Sequence, residues 1–331
     1  MSERYAIITP AHNEAVFLPR VISGVAAQRV RPLTWLILDD RSTDGTWEIL
    51  EKAASRLDFL KPVKISGPPG RRVGANVVHL FHEGWTRLDQ EVDFLVKMDA
   101  DVVLPPYYFA VLLSRFQADT RLGLASGKTY TWQKKAWVME RIADTHVTGA
   151  CKTYRLDCLK EMGGLIPILG WDVLDVVQAR RLGWHTRSYP DLPLFHLRLT
   201  GSAQGLVRAN LSYGRSYYAM RAHPLFVLAK ALYRALERPF GAGLLILAGY
   251  VQAALSRQPR LADEGLAAFL RREQLSRLRG QTWRQEVLVP LPLPRQGEKF
   301  EGLPEPIKMD GHEREDQSLG RQGSIRKEVD P

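Results

Sequence analysis

Cysteine is nearly missing: the chain of 331 residues has two, Cys151 and Cys158. That leaves no room for a disulfide scaffold or a Cys-rich zinc site. No G-x-G-x-x-G follows the first apolar run, which argues against a dinucleotide oxidoreductase. No helix-turn-helix, zinc or RNA-recognition signature accompanies the basic residues, so no nucleic-acid partner is expected. The opening MSERYAIITPAHNE is polar and then apolar only for the length of a strand. It reads as no secretory signal, and a reduced, cytosolic setting is the default expectation. No internal repeat is visible.

What is present is ordinary for a globular protein: 45% hydrophobic and 25% charged residues, with a net charge of +10. Such a chain buries a full core as one large α/β domain or two smaller ones. The charge is unevenly placed. Residues 1–197 carry a net +3, residues 198–280 a net +9 and residues 281–331 a net −2. The last stretch is rich in Pro, Gly and charge without apolar periodicity, and reads as a disordered tail.

Apolar runs of strand length recur at Tyr5–Ile8, Trp35–Leu38, Pro62–Ile65 and Phe94–Met98. Helical spacing lies between them, through Phe17, Val21, Val25 and Ala26, then Trp47, Leu50, Ala54 and Leu57, then Val77, Leu80, Phe81 and Trp85. Alternating strands and helices predict an α/β sheet with ligands at the carboxyl ends of its strands. Polar clusters fall at those ends: ThrProAlaHisAsnGlu (9–14), AspAspArgSerThrAspGlyThr (39–46) and AspAlaAsp (99–101).

Asp99 and Asp101 at a strand end suit a hard divalent cation, which in turn neutralises a diphosphate; they equally suit turn capping. Of Asp39 and Asp40, one is expected to face the crevice and accept hydrogen bonds from a base or ribose. Ser42, Thr43 and Asp44 suit the cap of a helix starting near Thr46. Glu14 is expected at the start of a helix, where the dipole favours it. The turn GlyProProGlyArgArg (67–72) offers Arg71 or Arg72 to a phosphate or base, or is a solvated loop. Asp172 and Asp175, three apart, share one helix face; one is a candidate general base, and the other caps or holds Arg198 or another cation. His196 is a packed histidine or a metal ligand.

Taken in order, Pro10-Ala-His-Asn-Glu14, Asp39-Asp-Arg-Ser-Thr-Asp-Gly-Thr46, Lys97-Met-Asp-Ala-Asp101 and the acidic element around Asp172 resemble a family 2 glycosyltransferase over residues 4–200. The resemblance implies a GT-A fold: a Rossmann-like mixed sheet flanked by helices over residues 1–200. It implies inverting transfer of a sugar from a nucleoside-diphosphate sugar to a hydroxyl. Carried over by position, Pro10 and Glu14 line the nucleotide pocket, with Asp40 at the base and Asp99 near the ribose. Asp101 holds Mg²⁺ or Mn²⁺, with His196 as a late ligand. Asp172 matches the expected base, although Trp171 stands where the family's pattern has Glu. The segments around TrpAspValLeuAsp and HisLeuArgLeuThrGlySerAla resemble a bacterial subgroup of polysaccharide assembly, implying a lipid-linked or growing polysaccharide acceptor. Two alternatives stand beside this reading. One is an inactive GT-A partner that only binds nucleotide. The other is a haloacid-dehalogenase-type phosphatase, because AspAlaAspValVal fits its D-x-D-x-V pattern, although that motif belongs on a first strand.

Residues 201–280 form a basic, apolar helical segment. Between Arg238 and Arg257 run 18 uncharged residues, at the lower edge for a spanning helix. Basic groups flank both ends, which predicts a segment lying in or dipping into the cytoplasmic leaflet of an anionic membrane rather than crossing it. A buried helical pair packed on the catalytic domain is the alternative.

Overall fold

A computed structural model describes residues 4–66, 75–133, 136–140, 142–198, 205–236 and 241–280. Arg71, Arg72 and the 281–331 tail therefore lie outside the described residues.

The first four strands are β1 (Tyr5–Ala11), β2 (Thr34–Asp39), β3 (Leu60–Lys64) and β4 (Phe94–Met98). They run parallel in the order β3-β2-β1-β4. Continuous apolar runs suit them because the sheet is covered on both faces. The pleat sends Tyr5, Ile7, Trp35 and Val96 into one core and Ala6, Ile8, Leu36 and Leu95 into the other. On the first face lie α1 (Leu18–Ala26), α2 (Thr46–Ala54) and α4 (Tyr108–Ala118); on the second lie α3 (Ala75–Thr86), α5 (Leu156–Glu161) and α6 (Trp171–Arg181). The periodic faces read from the sequence are these helices. Gly84 lets α3 sit close on β1, since a Cβ there would lie 2.7 Å from Ile8 Cγ2.

Beyond β4 the sheet turns mixed, as expected. β8 (Cys151–Arg155) joins β4 antiparallel, then come β6 (Leu122–Gln133) and β9 (His185–His196), with β5 (Val102–Val103) at the edge and β7 (Ala136–Met139) paired to β6. The register sets Val102 opposite His196, and Leu197 N–H donates to Asp101 O at 2.9 Å. This pairing brings the end of β9 back to the loop after β4.

Among the described residues, four helices follow: α7 (Gly205–Ala219), α8 (Pro224–Leu236), α9 (Ala242–Leu255) and α10 (Glu264–Leu278). α10 closes over α6 through Leu174, Val177, Leu266, Ala267 and Leu270. A buried, two-pronged ion pair crosses the same seam: Arg180 Nε donates to Glu273 Oε1 at 2.8 Å and Nη2 to Oε2 at 2.6 Å. Among the described residues no helix is long and apolar enough to cross a membrane.

Candidate active site

Three of the predicted residues meet at the carboxyl end of the sheet. One ligand atom each from Asp99, Asp101 and His196 falls within a 4.8 Å span. Cations held at about 2.0–2.6 Å place opposite ligands roughly 4–5 Å apart, so this spread fits one ion. Two carboxylate oxygens suit a hard cation, and an imidazole nitrogen leans the set from Mg²⁺ towards Mn²⁺. His196 Nε2 lies 3.1 Å from Asp101 Oδ1. Burial opposes a charged His196, but the hydrogen bond and charge of Asp101 prevail and raise its pKa. Burial likewise opposes an ionised Asp101, and the hydrogen bond and charge of His196, then Arg198, hold its pKa below the usual range. Asp99 is pushed the other way, chiefly by burial, against the pull of Lys97.

Arg198 links this cluster to Glu14. Its Nη2 donates to Glu14 Oε2 at 2.7 Å, and its Nε lies 3.7 Å from Asp101 Oδ2. This corrects one expectation and narrows another. Glu14 precedes α1, which has no acidic residue in its first turn, so it does not serve the helix dipole. Arg198 pairs with Glu14 and Asp101, not with either aspartate of α6. Burial first of all pushes the Glu14 carboxyl up to about 7, against Arg198.

The two polar loops brace each other. Ser42 Oγ accepts from Asn13 N–H at 2.9 Å, Asn13 Oδ1 accepts from Thr43 N–H at 2.8 Å, and Thr46 Oγ1 accepts from Glu14 N–H at 2.8 Å. Asp44, expected as a cap, accepts from Thr46 N–H at 3.1 Å. Asp40 accepts from Arg41 Nε at 2.8 Å and from Asn76 Nδ2 at 2.7 Å. Pro10 is half-buried at the end of β1, in register with Leu38. Asp39 is fully buried, and its Oδ1 accepts from Ser42 N–H at 3.1 Å.

Asp172 and Asp175 part company. Asp172 is half-buried in the first turn of α6, and its side chain lies beside Gly149, where an added Cβ would stand 3.6 Å from Oδ2. Lys97 Nζ donates to that glycine's carbonyl at 2.8 Å and pairs with Asp99, so Gly149 neighbours both Asp172 and the Lys97–Asp99 pair. Asp175 does not join the cleft. Its side chain has no exposure and accepts from Lys152 Nζ at 2.7 and 2.8 Å and from Tyr154 Oη at 2.6 Å. It holds a cation other than Arg198. A buried, doubly engaged carboxylate has no path to a substrate hydroxyl, so the candidate base narrows to Asp172.

Lys97, Lys152, Tyr154 and Arg198 were not read from the sequence as partners of the site, although Arg198 was expected to pair. Lys97 and Lys152 stand directly opposite on β4 and β8. Like charges so placed repel. Here Asp99 and Asp175 offset them, and the Trp171 ring lies between, 5.4 Å from each ammonium. Each contact of this kind is worth about 0.5–2 kcal/mol. Lys152 Nζ also donates to Asp172 O at 2.6 Å, fixing the first turn of α6 that carries Asp172. A lysine inside an otherwise apolar strand was the available signal in PheLeuValLysMet.

A cavity of about 730 Å³ opens at the other end of β1 and β4, lined by Arg4, Asp93 and Arg155 among others. It touches none of these residues and mixes both charge signs, so the chemistry does not centre there.

Residues 6–163 match the family described as Glycosyl transferase family 2. No curated protein matches the chain. Among solved structures, the chain is similar to the mannosyltransferase PcManGT from Pyrobaculum calidifontis in complex with GDP-Man and Mn²⁺. The TM-score is 0.53 at 17% identity, covering 86% of this chain and 88% of that one. It is also similar to GalNAc-T7 with UDP, GalNAc and Mn²⁺, with a TM-score of 0.51 at 14% identity over 78% of this chain and 58% of that one. At such identities the likeness establishes a GT-A-like mixed α/β fold.

Proposed function

From the match of residues 6–163 to glycosyl transferase family 2, we propose that the chain is an inverting glycosyltransferase of that family, moving a hexose-type sugar from a nucleoside-diphosphate sugar to a hydroxyl. The observation that carries this reading is the convergence of Asp99, Asp101 and His196, with Asp172 beside Gly149. The solved relatives named above hold GDP-Man or UDP together with Mn²⁺, which supports a nucleotide donor and that cation here. Asp99, Asp101 and His196 would hold the cation, which would offset negative charge gathering on the departing diphosphate.

The chain's own groups do the rest. Pro10 at the end of β1, with Glu14 and Asp40 on the two braced loops, would hold the nucleoside. Asp172 takes the proton of the acceptor hydroxyl as its oxygen bonds to the anomeric carbon. The bond from that carbon to the diphosphate breaks on the opposite side, giving inversion. Arg198 fixes the Glu14 and Asp101 carboxylates relative to each other. The acceptor is lipid-linked or a growing cell-surface polysaccharide, met at the cytoplasmic face of the membrane. The basic segment after residue 198 supports this, since it would concentrate the enzyme where such acceptors lie.

A second reading, a nucleotide-binding partner without catalysis, draws on Trp171 standing where the family's Glu is expected. Purified protein incubated with UDP-, GDP-, dTDP- and CDP-sugars and Mn²⁺ separates the two. The transferase raises its Tm with one class and slowly hydrolyses that donor, hydrolysis stopping with EDTA. Binding without turnover favours the inactive partner, and no thermal shift with any donor overturns both.

A further inference from the structure

The helices after the sheet are built inside out. Among the described residues, ten of the sixteen exposed large hydrophobic side chains lie on α7, α8 and α9. On α8, Leu225, Leu228, Leu232 and Leu236 recur along one stripe, from 46% to 81% exposed, while Val227 and Ala231 are buried. On α9, Leu244, Val251 and Leu255 form a second stripe, 53% to 81% exposed, while Gly243, Ile246, Gly249 and Ala253 face inwards. Small residues make the seams. A Cβ on Gly214 would lie 1.9 Å from Ile246 O, one on Gly243 1.9 Å from Ala231 O, and one on Gly249 2.1 Å from Leu211 O. Helices meeting through glycine with leucine turned outwards follow the packing logic of lipid, where leucine needs no shelter. In water such a face is a docking surface.

The two stripes share a side. At about 100° per residue, each stripe centres roughly 90–110° from its helix's line of contact with the other. Gly243, in the first turn of α9, meets Ala231 and Ala235 near the end of α8, as in a helical hairpin. In such a hairpin the equal offsets bring both stripes to one face. That face points away from α7, which packs against the Ile246–Gly249 side of α9.

Charge selects the occupant. Residues 205–260 contain eight Lys and Arg residues and one acidic residue, Glu237. A second copy of this segment would repel it; an anionic surface attracts it. We propose that the outward face of the α8–α9 pair docks in the plane of an anionic lipid bilayer, its leucines entering the headgroup boundary and the surplus positive charge of residues 205–260 drawing the segment to lipid phosphates. α9 has 14 residues, too few to span, and suits an in-plane position. This deepens the reading of a membrane-borne acceptor. Met220, at the foot of α7, packs on Gly170 at the start of the helix bearing Asp172, linking docking layer and base.

Full-length protein is sedimented with vesicles of phosphatidylcholine alone or with about 30 mol% phosphatidylglycerol, and its binding of GDP and UDP with Mn²⁺ is measured in parallel. Expected are binding to the anionic vesicles, weakening with salt, and a loss of roughly tenfold or more for Leu232→Ser and for Leu255→Ser. Nucleotide binding and Tm should stay unchanged, because both side chains are exposed. Three results would overturn the proposal: no vesicle binding by the native chain, binding indifferent to both leucines, or a lipid-free dimer that either substitution dissolves. Lost docking with nucleotide binding intact removes this inference alone; docking without any nucleotide binding removes the transferase reading alone.

Discussion

The carboxyl end of the sheet and the helices that follow it treat charge in opposite ways. In and beneath the cleft, acids and bases are paired: Asp99 with Lys97, Asp101 with His196 and Glu14 with Arg198 at its surface, and Asp175 with Lys152 buried below it. Across residues 205–260, eight basic residues face a single acidic one in the sequence. A cleft of paired charges is near neutral until a diphosphate and its cation add their own. A segment with such a basic surplus attracts anions at all times. The net +10 therefore belongs to a surface and says little about the chemistry.

That comparison breaks most sharply at two aspartates on one helix. Asp172→Asn should lower the turnover rate by about 10²–10⁴-fold and leave nucleotide affinity unchanged, since only the proton acceptor is lost. Activity that survives there, yet dies in a folded Asp175→Asn protein, would reverse the assignment. Asp175→Asn should instead act on folding. It leaves Lys152 buried and unpaired, costing about 3–5 kcal/mol, read as a lower Cm in urea.

The same size of effect tests whether the two regions stand together. Glu273→Gln strands Arg180 under α10 and should also cost about 3–5 kcal/mol, in one cooperative transition shared by catalytic half and helices. Two separate transitions would show that the α6–α10 seam does not couple them. Asp101→Ala comes next. It should weaken Mn²⁺-dependent nucleotide binding by roughly a hundredfold, as EDTA does for the native chain. Equal affinity with and without the ion would count against a metal at this cluster.

How much of this was legible follows from the range of each signal. Strand runs and helix faces are local, so β4 fell on Phe94–Met98 as read, and α2 began at Thr46. The strand-end aspartates were legible because carboxylates rarely end apolar runs without a purpose. What escaped was pairing at a distance. Arg198 reaches Glu14 across 184 residues, through a β9–β5 register that periodicity does not encode. Asp172 and Asp175 looked equivalent because a three-residue spacing places both on one flank of a helix. Only the neighbouring strand β8, bringing Lys152 and Tyr154 under Asp175, tells the buried partner from the candidate base.

The subtlest test reads the cleft through its pH dependence. Burial lifts the Glu14 carboxyl from an ordinary 4.5 to about 7, with Arg198 opposing. Between those values the folded chain holds a proton that the unfolded chain has released. The stabilising contribution is therefore complete below about pH 4.5 and declines as pH rises through 7. Glu14→Gln removes the titration while keeping most of the volume. Urea melts at pH 5, 6, 7 and 8 should then show native stability falling relative to the variant, by at most on the order of 1 kcal/mol per pH unit. A difference that stays flat across the window would mean that Glu14 is ionised throughout. Arg198 would then outweigh the loss of water, and the pair would be as settled as the ion pair of Arg180 and Glu273.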